Sequence, residues 1–469
     1  MSWKARLFAA LLAAVPSLSM PVAVLAESWQ SDMLPTDRIL MPAGPARGVA
    51  FLMSDAAGWG GREAETAKRL TAQGIAVVGI DMPAYVRRIN AQAPITQKQD
   101  PYDPVCAYLV SDIEGLSQQV QRASGSNDYV TPVVAGFGQG GGLALDILTQ
   151  TPDVTIGGTV AVDPASAVPI SNDLCTPAGY LTDSRGEIYQ LPSGKLQDPA
   201  TILLTPGADP DVRQRMAALQ AAARGVSVEQ AAEVTPAVMA KAIADRIEAI
   251  RAATAALPVT VLNVKPSEDA MAIVVSGDGG WRDIDESIGR MMQKQGIPVV
   301  GLDSLRFFWS KRTPDEVAQA LDTLIKHYHD LWGVNNVMLV GYSFGADVLP
   351  AAFNRLPEAT KHRVKLISLL GLSTAADWTI TVDGWLGTHS SQATPTEPEL
   401  VHMPLGKVQC VFGAEEEDSG CPALGKLGGA AVKVPGGHHF NDDYKSVEAL
   451  ILKAYAKRTQ QLAATEAKP

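Results

Sequence analysis

No histidine precedes position 327 of this 469-residue chain, and all seven lie at or beyond His327. A hydroxyl nucleophile activated by an imidazole therefore cannot be assembled from the first half alone. An excess of basic charge is missing as well, since 39 Lys and Arg face 50 Asp and Glu for a formal net charge of −11. Few cations are left to displace counterions from a phosphate backbone, which argues against direct nucleic-acid binding. Beyond the N-terminus no run is apolar enough to cross a bilayer. Cysteine is scarce: Cys106 and Cys175 fall in the first half, Cys410 and Cys421 in the second, and none has metal-ligand spacing. One bridge within each half is expected, and no metal or cofactor.

What is present begins with MSWKARLFAALLAAVPSLSMPVAVLAES, where Lys4 and Arg6 precede an apolar run and Val24-Leu25-Ala26 offers a small-residue cleavage site. Residues 1–26 thus have the pattern of a secretory signal peptide. Export follows, to the periplasm in a bacterial cell, where paired cysteines oxidise. With 46% hydrophobic and 19% charged residues, the rest can supply the cores of two or three domains.

Those cores are written twice. AFLMSDAAGWGGREAETAKRLTAQGIAVVGID from residue 50 parallels AIVVSGDGGWRDIDESIGRMMQKQGIPVVGLD from residue 272, and Trp59/Trp281, Gly74/Gly296 and Asp81/Asp303 are all 222 positions apart. Each copy reads as strand, glycine-containing loop, amphipathic helix and β-branched strand, the pattern of a parallel sheet covered on both faces. Two tandem three-layer α/β domains are predicted, over 27–210 and 258–469. The alanine-rich stretch between them, 211–257, has high helix propensity and is expected to be a helical connector packing on the first domain.

The second copy carries Gly341-Tyr342-Ser343-Phe344-Gly345 between a strand pattern and a helix pattern. A nucleophilic serine on a sharp strand-to-helix turn needs small residues two positions away on either side. Its hydroxyl also needs a base oriented by an acid, and in this fold type both follow the nucleophile, each after a late strand. VQCVFGAEEEDSGCP and AAVKVPGGHHF supply them in that order. His439 is the expected base, because it directly precedes Phe440 as in related serine hydrolases, with His438 the alternative. Asp418 is the expected acid, with Glu416 the alternative. Phe344 and either Gly277 or Asp278 of the SGDGGW loop are the expected oxyanion donors. At the corresponding turn the first copy has Gly138, so it is expected to keep the architecture without the catalytic residues.

SGDGGW, GYSFGAD and GGHHF, with the duplication and the leader, resemble the AcvB/VirJ family of bacterial periplasmic virulence-associated proteins. The second half resembles the VirJ unit and the two-domain layout resembles AcvB. That resemblance implies an α/β-hydrolase fold and release of lysine from lysyl-phosphatidylglycerol, with roles in lipid homeostasis and in DNA transfer to host cells. The partner it implies is an aminoacylated phospholipid at the membrane surface. A non-catalytic scaffold that binds secretion-system components or exported proteins is the competing expectation. Asp278 and Asp347 stand where they could attract the two positive charges of a lysyl group, although the helix dipole also accounts for an acid at Asp347; Phe307-Phe308-Trp309 with Lys311 and Arg312 could touch an anionic bilayer, although such a cluster is more often core and rim.

Overall fold

In the computed structural model, residues 29–91, 106–151, 155–176, 178–191, 194–253, 257–380 and 389–466 are described. The leader expected over 1–26 lies outside them. The β-branched runs of the first copy form strands β1 (Ile39–Leu40), β2 (Val49–Met53), β3 (Ala76–Ile80), β4 (Val133–Phe137), β5 (Gly158–Val162), β6 (Gly194–Leu204) and β7 (Ala223–Gln230). Those of the second form β8 (Val259–Leu262), β9 (Ala270–Val275), β10 (Val299–Leu302), β11 (Asn336–Tyr342), β12 (Val364–Leu370), β13 (Val408–Gly413) and β14 (Ala430–Val434). The sheet orders are β1-β3-β2-β4-β5-β6-β7 and β8-β10-β9-β11-β12-β13-β14, one topology used twice. In each, only the first strand pairs antiparallel.

Helices cover both faces of each sheet: α1 (Gly61–Ala72), α2 (Met82–Ala91), α3 (Leu109–Ala123), α4 (Gln139–Ile147), α5 (Pro210–Ala222) and α6 (Pro236–Ala253) in the first lobe. The second has α7 (Asp283–Lys294), α8 (Ser304–Phe307), α9 (Pro314–Trp332), α10 (Phe344–Asn354) and a C-terminal helix, Tyr444–Glu466. Strand β9 illustrates why two layers form. Met271, Ile273 and Val275 join one buried cluster and Ala270, Ala272 and Val274 the other, as the two-residue period of a strand requires. Both lobes are α/β units of three layers, as expected.

The repeated Trp and Gly have a shared cause. Trp281 is fully buried and lies flat over Gly301 of β10, where a Cβ would stand 2.1 Å from the indole. Trp59 covers Gly79 of β3 in the same manner, with 2.7 Å to an added Cβ. Only glycine leaves room. The helices before these strands end at Gly74 and Gly296, with φ of 82° and 79°, a left-handed conformation glycine adopts without steric cost.

Two expectations change. The stretch 211–257 is not a separate connector, because GVSVEQ lies within β7 and pairs parallel with β6, its Val226 and Val228 packing on an apolar cluster. The alanine-rich composition on either side obscured this strand, although α6 does pack on the first lobe through Met239, Ile243 and Ile247. Phe307, Phe308 and Trp309 do not face a bilayer either. They are 5%, 0% and 1% exposed, within the core and the junction between lobes. One disulfide lies in each lobe, Cys106–Cys175 and Cys410–Cys421. No helix among the described residues is long and apolar enough to cross a membrane.

Candidate active site

Ser343 sits between β11 and α10 with φ 51° and ψ −121°, a conformation that L residues rarely adopt. The flanking glycines explain how the turn closes. A Cβ on Gly341 would lie 2.6 Å from the backbone of Gly345, and one on Gly345 would lie 2.1 Å from the Val275 carbonyl oxygen. The strained bend aims the Ser343 side chain into a cavity of about 420 Å³ and leaves the Phe344 N–H at the first position of α10, where helical amides have no partner within the helix.

The imidazole beside Ser343 is that of His438. Its Nε2 is 2.8 Å from Ser343 Oγ, and its Nδ1 is 3.3 Å from Glu416 Oε1, close enough for an ion pair though not aligned as a hydrogen bond. The ring has room because Gly371, at φ 62°, carries no Cβ; one there would lie 2.8 Å from the imidazole. Burial disfavours protonation of His438, but the carboxylates of Glu416, Asp347 and Asp278 outweigh it and hold the ring above its ordinary pKa.

Of the expected residues and their alternatives, the structure brings His438 and Glu416, not His439 and Asp418, to Ser343. His439 faces away from the nucleophile and shares a hydrogen bond of 3.2 Å with the Tyr342 hydroxyl through Nδ1. The reason is the turn that follows: Phe440, Asn441 and Asp442 all have positive φ, and Phe440 is buried as an anchor, which fixes which of the two rings points inward. Asp418 accepts a hydrogen bond of 3.0 Å from the Thr374 hydroxyl instead of meeting an imidazole. Glu416 is nearer because the ladder between β13 and β14 runs on past the strands, with Ala414 N–H donating to Val434 O at 2.8 Å and Glu415 N–H to Gly436 O at 3.0 Å. Two residues after Ala414, the side chain meets the histidine turn.

Of the expected oxyanion donors, Phe344 and Asp278 line the cavity. The N–H of Gly277 is engaged, donating to the buried Asp285 Oδ2 at 3.2 Å. The Asp278 carboxylate is raised above its ordinary pKa chiefly by burial, with its own N–H and that of Gly279 pulling the other way. Asp347, in the first turn of α10, is buried, accepts from Ser373 N–H at 2.8 Å, and is pushed up to about 7 by desolvation. Sequence reasoning missed Asp377, Glu417 and His389, which share the cavity; no spacing ties them to the serine turn.

The first lobe keeps the turn, and a cavity of about 490 Å³ beside it, but has neither serine nor imidazole there. Gly138 has φ 50° and ψ −114°, nearly the angles of Ser343. Asp55, 222 positions before Gly277, fills the space above it and accepts from Gln139 N–H at 2.9 Å, the amide that corresponds to the Phe344 donor.

Residues 269–459 match the family model described as bacterial virulence protein (VirJ). That match covers most of the second lobe and none of the first. No curated protein matches the chain significantly in sequence. Solved structures similar to it include Est1E from Butyrivibrio proteoclasticus with ferulic acid bound, at 12% identity and a TM-score of 0.31, covering 43% of this chain and 95% of that one. The naproxen esterase of Bacillus subtilis has 14% identity and a TM-score of 0.30, with 42% and 86% covered. The α/β serine hydrolase XC6422 of Xanthomonas campestris has 14% identity and a TM-score of 0.29, with 42% and 88% covered. The matched residues span the serine turn, the acid loop and the histidine turn together.

Proposed function

We propose that the VirJ-type lobe is a serine hydrolase for esters of cationic acyl groups, with Ser343 as nucleophile, His438 as base and Glu416 as orienting acid. The contact that carries the reading is the 2.8 Å approach of His438 Nε2 to Ser343 Oγ. As Ser343 attacks the ester carbonyl, His438 takes its proton and Glu416 stabilises the imidazolium. The oxyanion falls to the Phe344 N–H, and to the Asp278 N–H once the carboxylate of Asp278 turns aside. His438 then protonates the departing alcohol, and water repeats the sequence on the acyl-enzyme to release the free acid.

The acyl group is argued from charge. Asp278, Asp347, Asp377, Glu416, Glu417 and Asp418 all line the cavity, and no Lys or Arg is among its described lining residues. Such a chamber favours an ammonium-bearing acyl group over a fatty one. A neighbouring cavity of about 500 Å³ shares Asp347, Asp377 and Thr379 and adds Lys311, Arg312 and Arg355, cations that suit a phosphate. An ammonium next to a phosphate describes the headgroup of lysyl-phosphatidylglycerol, the substrate expected from the sequence resemblance. Activity at the periplasmic membrane surface accords with the leader pattern and the two disulfides.

The test is to incubate the protein and its Ser343→Ala form with phosphatidylglycerol vesicles containing the lysyl lipid and to assay free lysine. Release by the native protein alone supports the proposal. No release by either, with the cellular effect of the protein intact in Ser343→Ala, would favour a scaffold for secretion-system proteins, a reading to which a first lobe that keeps the turn without serine or imidazole lends weight.

A further inference from the structure

The first lobe cannot run this chemistry, yet one of its helices holds the second lobe at two walls of the Ser343 cavity. Arg122, in the last turn of α3, reaches across the junction and lies 3.6 Å over the Trp309 ring. Its guanidinium donates to the Trp309 carbonyl at 2.6 Å and also to the Ile380 carbonyl. Trp309 answers by donating its indole N–H to the Ser126 carbonyl at 3.0 Å and packing 5.0 Å from the Tyr129 ring. These contacts bear on the site directly. Ile380 lines the cavity and donates its N–H to the Phe308 carbonyl at 3.0 Å, and the Phe308 ring packs edge-on against Phe344 at 4.8 Å.

Five residues into the same helix stands Glu114, which is almost fully buried and forms an ion pair with Arg282. Arg282 directly follows the SGDGGW loop, and its guanidinium lies so close to Gly279 that a Cβ there would be 2.8 Å away. Here the cost of losing one partner would be high, because the other charge would remain buried and unpaired.

We infer that α3 of the first lobe is a positioning element for the catalytic pocket of the second, with Arg122 setting the Ile380 wall and Glu114 setting the loop that carries Asp278. The inference rests on the hydrolase reading of Ser343. It gives the lobe without imidazole a task. Two walls are fixed by one rigid helix, so the pocket keeps its width while the oxyanion loop keeps its aim.

The experiment compares the full chain with Arg122→Ala, Arg122→Lys, Glu114→Gln and Glu114→Asp. Each is checked for folding by circular dichroism, for the rate at which a fluorophosphonate labels Ser343, and for kcat and KM on lysine ethyl ester. Arg122→Ala should mainly raise KM and Glu114→Gln mainly lower kcat, each by on the order of tenfold to a hundredfold, because small misplacements carry penalties of that size. Arg122→Lys keeps the charge without the fork and should remain impaired. Glu114→Asp keeps the buried charge opposite Arg282 and should retain more of kcat than Glu114→Gln, with the labelling rate following kcat in variants of native circular dichroism. Folded variants with labelling rates and both constants within twofold of the native chain would overturn the inference. Failure of the native chain itself to label or turn over would instead remove the hydrolase reading, and the inference with it.

Discussion

Asp55 occupies the room that a side chain at Gly138 would need: a Cβ on Gly138 would stand 2.0 Å from Asp55 Oδ1. The inactive turn is therefore filled from within, by a residue that the second lobe replaces with Gly277. Gly138→Ser should destabilise the first lobe by about 1–3 kcal/mol through overpacking, without adding hydrolysis. Urea unfolding measures it. Stability unchanged in Gly138→Ser would contradict the packing described, and Asp55→Gly with Gly138→Ser should regain part of the loss.

The two adjacent histidines separate cleanly. His438→Ala should lower kcat on an aminoacyl ester by at least about a thousandfold, since it removes the base. His439→Ala removes a hydrogen bond to Tyr342 and should keep activity within about tenfold, the cost of one modest hydrogen bond. Steady-state kinetics on both variants decides, and the reverse order would reinstate His439.

The acid is tested by pH as well as by rate. His438 must be neutral to accept a proton, and its pKa is raised, so kcat should fall as pH drops through a value above that of a free imidazole. Glu416→Gln removes part of the attraction that stabilises the imidazolium; the acid limb should move to lower pH while the plateau falls, by up to about 10⁴-fold. Asp418→Asn should leave the limb in place. A limb unmoved in Glu416→Gln would reject the pairing.

Asp347 offers a second titration. Burial pushes its carboxyl up to about 7, so below that pH it gains a proton and no longer counters an ammonium. KM for a lysyl ester should rise as pH falls below about 7, whereas KM for an uncharged acyl ester should not. Asp347→Asn should raise KM for the cationic ester about fivefold, the size expected of a screened charge pair of ~1 kcal/mol, and abolish the difference between the two esters. Equal sensitivity of both esters would count against the charge argument.

Much of this was legible in the chain. Parallel sheets could be read from β-branched runs between helices, and the serine turn from two glycines whose absence of Cβ the strained bend requires. Which histidine points inward could not. That depends on three successive left-handed residues after it and on the burial of Phe440, and no local pattern announces either. Glu416 was hidden for a related reason: a run of four acids gives no register until the ladder past β13 and β14 sets it. Strand β7 was masked by alanine-rich neighbours, because helix propensity on both sides outweighs two valines in a short window. The lobe junction was illegible altogether. Arg122 and Trp309 are separated by most of a domain, and only tertiary packing makes them partners.

Trp59 on Gly79 and Trp281 on Gly301 are one joint made twice, and it is present also in the lobe where Asp55 sits over Gly138. The requirements for standing upright and for cutting a bond thus rest on different letters of the repeat. The serine and the imidazole can be absent while the packing persists, and a copy without them still has a sound frame for other employment.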